Sequence, residues 1–174
     1  MRLLLLPLLV FACAPLTTET LPPLAPSEQA LLGPLALPRA LLDAAGQPAR
    51  LDAVRGSAGT VVILTASFCD PRELGALLAQ AEALRAQGIA VVVVSLDHDP
   101  RALDDLVRPP GLAVLTADVD ARAALRAQTV LPTTLLLDAG GQQLRRYDGE
   151  VPLASLTSDL ERVPEYVAAR RRKS

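Results

Sequence analysis

Two stretches of the chain are apolar almost without interruption: TVVILTA from Thr60 to Ala66 and IAVVVVSL from Ile89 to Leu96. Continuous β-branched runs predict strands buried on both faces, and both are too short to cross a membrane. Between them Leu74, Leu77, Leu78, Ala81 and Leu84 recur at helical spacing, so the pattern predicts one helix over Asp70–Gln87 with Gly88 as its stop. After Leu96 the segment DHDP breaks the chain. RALDDLV then predicts a short helix, LAVLTAD a weaker strand and DARAALRAQ another helix. TTLLLDAGGQQLRRYDG has the form of a hairpin, with an apolar strand and a half-exposed strand about a Gly-Gly turn. Leu153, Leu156, Leu160 and Val163 share one face of a closing helix. Ahead of the first buried strand, Arg39–Gly56 reads as a short hairpin turning at Ala45 to Gln47, followed by a helical turn. Strands that alternate with helices and end in a hairpin predict a three-layer α/β/α domain over residues 39–164, with a mixed central sheet.

The residues before this domain follow another pattern. Pro, Thr, Ala and Leu dominate residues 13–38, including LPPLAPSEQALLGPLALP. Proline resists both helix and central strand, so the segment predicts a semi-extended tether with at most one helical turn, at SEQALLG. Residues 1–12 combine Arg2 with the apolar LLLLPLLVFA, the form of a secretory signal too short for a permanent membrane span. It ends in VFAC, Val10 to Cys13, which resembles the lipobox of bacterial lipoproteins. Val10, Ala12 and Cys13 match that motif, while Phe11 is bulkier than usual. The resemblance implies cleavage before Cys13 and a lipid on that cysteine. Ala14, where an aspartate would retain the protein, implies outer-membrane sorting with the domain on the periplasmic face. An ordinary cleaved signal with a free Cys13 is the plainer alternative. RRRK, within the C-terminal tail of residues 165–174, reads as a solvated end that could also touch anionic lipid headgroups.

Composition narrows the chemistry. Only two Phe and two Tyr occur in 174 residues and Trp is absent, so the core is aliphatic and the stacking platforms of single-strand binders are missing. With a net charge of −2, no nucleic-acid partner is expected. The single histidine, His98, reads as a solvated loop residue. One Cys with one distant His is not a ligand set, so neither a metal nor any other cofactor is expected. Of the two cysteines, lipid would take Cys13, which leaves Cys69 without an internal disulfide partner.

Cys69 lies in LTASFCDPRELG, where the first buried strand gives way to the first helix. The pattern places it at the helix amino terminus, where backbone N–H groups lack intrahelical partners and the dipole is positive. Such surroundings favour the thiolate, which is the reacting form. Arg72 adds to this and Asp70 opposes it. Opposite charges at similar distances largely cancel, so the amides are expected to decide. Pro71 suits the first turn because its missing donor would be unpaired there anyway.

TASFCDPR resembles the W-C-x-x-C region of the thioredoxin superfamily, and its surroundings are similar to those in the TlpA-like membrane-tethered disulfide reductases. The resemblance runs from about Leu41 to Gly149. LLDAAGQPARLDAVRG is similar to that family's opening hairpin, and VLPTTLLLDAGGQQLRRYDG to its V-P-T-T-F-L-I-D-x-x-G segment. It implies a thioredoxin-like fold with a cis-proline at Pro132. It also implies a substrate-facing loop of Leu131, Pro132 and Thr133 opposite Cys69, and Phe68 in place of the usual Trp. Two departures limit it. Arg72 stands where the family has its resolving cysteine, and Gly75 where many relatives carry a glutamate.

A dithiol enzyme completes its cycle when the second sulphur attacks the mixed disulfide. Lacking that sulphur, this domain is expected to be a monothiol thiol-disulfide oxidoreductase. Cys69 would be the nucleophile and Arg72 an electrostatic modifier. The client would be a protein or a small thiol or disulfide, and an external thiol would act as reductant or resolver. Two alternatives stay open. The domain could be redox-silent and use the same groove to bind an extended peptide or protein, with Cys69 a small apolar residue. It could also be a one-cysteine peroxidase, although Ala66 stands where P-x-x-x-T-x-x-C requires threonine.

Overall fold

A computed structural model describes residues 35–38, 41–99, 101–103, 109, 111–149 and 153–162. The expectations for the leader, for Cys13, for most of the tether, for a helix running through Asp104–Val107 and for the basic tail lie outside these residues. No helix among the described residues is long and apolar enough to cross a membrane.

The strands are β1 (Leu41–Leu42), β2 (Pro48–Ala49), β3 (Gly59–Thr65), β4 (Ile89–Ser95), β5 (Ala113–Ala117), β6 (Thr133–Asp138) and β7 (Gln143–Asp148). The helices are α1 (Pro71–Leu78), α2 (Ala81–Ala86), α3 (Val119–Arg126) and α4 (Leu153–Glu161), with a 3-10 turn at Leu51–Val54. All seven strands form one sheet in the order β2-β1-β5-β4-β3-β6-β7. β4 runs parallel to β3 and β5, whereas β6, β7 and the β1–β2 hairpin pair antiparallel. Pro48 is tolerated because β2 is an edge strand, where a missing donor breaks no ladder.

Alternation along the central strands divides their side chains between two aliphatic cores. Val61, Ile63, Val91 and Val93 face Leu77, Leu78, Ala81, Leu84, Leu156 and Leu160 of α1, α2 and α4. Val62, Leu64, Val92 and Val94 face Ala121 and Leu125 of α3, together with Leu35 and Leu51. A sheet with helices on both sides is the three-layer arrangement read from the sequence. Gly56, just before β3, is held by a close approach. A Cβ there would lie 2.4 Å from Ala90 N, Gly59 O and Gly88 O.

Three details differ from the expectation. The predicted single helix over Asp70–Gln87 is two helices, because the amide of Ala79 donates to Gly75 O but that of Gln80 donates to Leu77 O, one residue short of the α-helical partner. The tightened turn keeps Ala81 and Leu84 on the same core as Leu77 and Leu78. The core reaches back into the expected tether, where Leu35 is buried and its amide donates to the Gln143 side chain at 3.0 Å. Finally, β7 buries Arg145, Arg146 and Tyr147 instead of lying half exposed. Charge compensation permits this: Asp159 of α4 accepts from the Tyr147 hydroxyl and lies 3.4 Å from Arg145 Nε, and Arg146 donates to Asp148 at 3.0 Å.

Leu136 is fully enclosed in the core between the sheet and the layer of α1, α2 and α4, so Leu136→Ala should destabilise the domain by about 2–5 kcal/mol. Val130→Ala, at a position 65% exposed, should cost less than about 0.5 kcal/mol. Urea unfolding midpoints at unchanged slope measure both.

Candidate active site

The connection from β3 to α1 carries Ala66, Ser67, Phe68 and Cys69, and a buried carboxylate holds it in place. The amide and the hydroxyl of Ser67 each donate to Asp97 at 2.9 Å, and the Ser95 hydroxyl donates to it at 3.1 Å. Asp97 sits just beyond β4, and α3 fixes that end: Arg122 donates to the Asp97 carbonyl and Arg126 to the Leu96 carbonyl. In the sequence Asp97 reads only as part of DHDP, a break in the chain after Leu96. Asp99 accepts from the Arg101 amide at 2.9 Å, and His98 is exposed as expected. The signal for Asp97 was its place, an acid just beyond a buried parallel strand on the side where connections form sites.

Cys69 is half buried and free, and its amide donates to Ala66 O at 2.9 Å. The next residue, Asp70, caps α1 by accepting from the Arg72 amide at 2.9 Å. Its carboxylate is also gripped by the Arg72 guanidinium, at 2.7 Å from Nη2 and 3.1 Å from Nε. Two expectations change as a result. Arg72 and Asp70 form a pair instead of acting on the sulphur as separate charges. The amides at the head of α1 also do not all crowd the sulphur: Pro71 has none and Asp70 takes that of Arg72. The Arg72 side chain, and then its amide, hold the Asp70 carboxyl below the usual carboxylate range.

The opposite wall is the loop before β6. The Leu131–Pro132 bond is cis, as the resemblance implied. Register brings this loop to the site, because Leu64 at the end of β3 pairs with Thr133. The loop is anchored by β7 and the glycine after it. Gly149, with a φ of 84° that favours glycine, donates its amide to Pro132 O at 2.7 Å. The Thr133 hydroxyl lies 2.7 Å from Val130 O and 2.9 Å from an Asp148 carboxylate oxygen. Thr133 is therefore buried and committed to the fold, and it is Thr134 that lines the cavity with Pro132. Leu131 is half buried and packs toward the α3 side of the sheet. Phe68 is 73% exposed. Val130, two residues before the cis-proline, is exposed as well.

Cys69 lines two cavities, on opposite flanks of α1. One, of about 230 Å³, includes Ile63, Leu74, Leu77, Pro132 and Thr134. The other, of about 560 Å³, includes Leu74, Gly75, Leu78, Ala79, Leu103 and Pro109. Two largely apolar concavities therefore meet at Cys69.

No family model and no curated protein matches the chain. Solved structures do. One named as a thiol:disulfide interchange protein DsbE, from Chlorobium tepidum, is 23% identical with a TM-score of 0.54, over 75% of this chain and 90% of that one. The pneumococcal exposed lipoprotein thioredoxin Etrx1 from Streptococcus pneumoniae is 16% identical with a TM-score of 0.57, over 70% of this chain and 96% of its own. The thioredoxin domain of a thiol-disulfide oxidoreductase from Bacteroides vulgatus is 18% identical with a TM-score of 0.55, over 74% and 98%. At such identities the shared property is architecture, and the chain has a thioredoxin-like fold.

The Asp70–Arg72 pair gives a pH prediction. With its folded value below the ordinary 3.8, ionised Asp70 supports the start of α1 above the usual carboxylate range, and that support is lost as pH falls through the lowered value. Carboxyl NMR should find Asp70 titrating below 3.8 in the wild type. In Arg72→Ala its titration should move upward.

Proposed function

We propose that the protein is a monothiol thiol-disulfide oxidoreductase whose nucleophile is Cys69. The observation that carries this reading is a half-exposed cysteine at the head of α1, lining the same cavity as cis-Pro132. In the first step the Cys69 thiolate attacks a client disulfide, the client's S–S bond breaks, and the departing sulphur leaves as a thiolate that takes up a proton. The product is a disulfide between Cys69 and the client. An outside thiolate then attacks that disulfide, restores Cys69 as a thiolate and removes the client sulphur in a new disulfide. No residue of the domain can replace the outside thiol, since Arg72 holds the position of a resolving cysteine. Phe68 and Leu131 would border the client, and the backbone beside Pro132 would receive it.

A lipid on Cys13 would hold the domain, through the proline-rich segment, on the periplasmic face of the outer membrane. The lipobox-like VFAC supports this, as does the likeness in fold to a protein described as an exposed lipoprotein thioredoxin. A redox-silent peptide-binding module is the second reading. It is favoured by one observation: Asp70, not the sulphur, takes the Arg72 amide.

Incubation with oxidised glutathione, followed by intact-mass measurement and peptide mapping, separates the two. One glutathione on Cys69 of the wild type, none on that peptide in Cys69→Ser, and release by added thiol are the expected results. A folded wild type that gains no adduct at Cys69 would assign the groove to binding alone.

A further inference from the structure

Gly75 lies inside α1, where glycine lowers helix stability relative to alanine, yet no crowding calls for it. A Cβ built there meets nothing within 4 Å. What the glycine does is leave open one wall of the 560 Å³ cavity, which it lines together with Leu74, Leu78, Ala79, Leu103 and Pro109. Among the described residues, that lining carries no charged side chain apart from Asp70, which Arg72 grips. A cavity of this size and composition suits an aliphatic group.

Its position decides what kind of molecule would bring that group. Cys69 belongs to both cavities, and they lie on either side of α1, one toward the β4–β5 connection and one toward β6. A sulphur bonded to Cys69 therefore sits at their junction. A small thiol extends from its sulphur in one direction and would fill one of them. A peptide extends both ways from its cysteine and would fill both.

We propose that the larger cavity is a subsite for a leucine-like aliphatic side chain adjoining the cysteine of a peptide client, whose other flank runs past Pro132. This rests on sulphur exchange at Cys69 and adds to it the class of client.

The test uses three short peptides whose cysteine is activated as a 2-pyridyl disulfide: glycines on both sides, leucine before the cysteine, and leucine after it. The Cys69 thiolate attacks the peptide sulphur, the bond to the pyridine sulphur breaks, and 2-thiopyridone leaves with the electron pair and takes up a proton. Its release gives the rate, peptide mapping places the adduct on Cys69, and rates are divided by those of glutathione with the same peptides. One leucine peptide should react about fivefold or more faster than the glycine peptide, a modest share of what full burial of a leucine provides. In Gly75→Leu and in Ala79→Leu, each verified as folded by circular dichroism, that ratio should fall to about one, the value expected once the buried area is lost.

Equal rates for all three peptides, with the adduct formed on Cys69, would overturn the subsite and leave the exchange reading standing. So would a leucine preference that survives in both folded variants. A preference for butyl 2-pyridyl disulfide without one for either leucine peptide would also overturn it, assigning the cavity to a small alkyl thiol. No adduct from any reagent on the folded wild type would remove the exchange reading, and the subsite with it.

Discussion

The antiparallel pairing of β6 with β3 is the constraint on which the site depends. It sets Leu64 opposite Thr133, so the loop that contains Pro132 arrives beside the end of the strand leading to Cys69. Nothing local could bring these pieces together, since α1, β4, β5 and α3 all intervene along the chain. A one-residue slip would exchange the faces of β6, exposing Leu135 and Leu137 to the wrong layer and moving Pro132 away from the sulphur. Burial of both faces makes that slip expensive, so the same apolar pattern that builds the core also fixes the geometry of the site.

Carboxylates then set the loops. Asp97 receives the amide and hydroxyl of Ser67 on one side of the sulphur, and Asp148 engages Thr133 and Arg146 on the other. Hydrogen bonds to a charged group contribute about 1.5–3 kcal/mol each, and fixing a residue's backbone costs about 1–2 kcal/mol. Two such bonds on Ser67 are therefore enough to order the short connection before Cys69. Asp70 works at a third place, joining the cap of α1 to Arg72. In each case the acid fixes a segment beside Cys69.

The layers and the mixed sheet were legible because their signals are local and redundant, and the cis-proline because a resemblance carried it. TVVILTA and IAVVVVSL have no other place to go than a buried sheet, and VLPTT carries a resemblance that spans the turn and the strand after it. The helix over Asp70–Gln87 was read as unbroken because Leu77, Leu78, Ala81 and Leu84 satisfy one periodicity whether or not a hydrogen bond shortens at Gln80. The strand that holds Arg145 and Arg146 was read as half exposed because Asp159, the partner of Arg145, lies in the closing helix and only the fold supplies it. Asp97 was missed for the same reason, since an acid after a strand gains meaning only when Ser67 is seen against it. The turn of the Thr133 hydroxyl toward Asp148 was not legible, because the motif marks a position without telling which way a hydroxyl points.

Leu35 has a geometric consequence of its own. Its amide is fastened to Gln143, at the foot of β7, and Gly59, where β3 begins, pairs with Asp138 at that same pole. Cys69 follows the far end of β3, so the chain enters the domain at the antipode of its thiol. Leu35 and the thiol thus occupy opposite poles of the sheet, and the fastening at Gln143 takes no part in shaping the cavities beside Cys69.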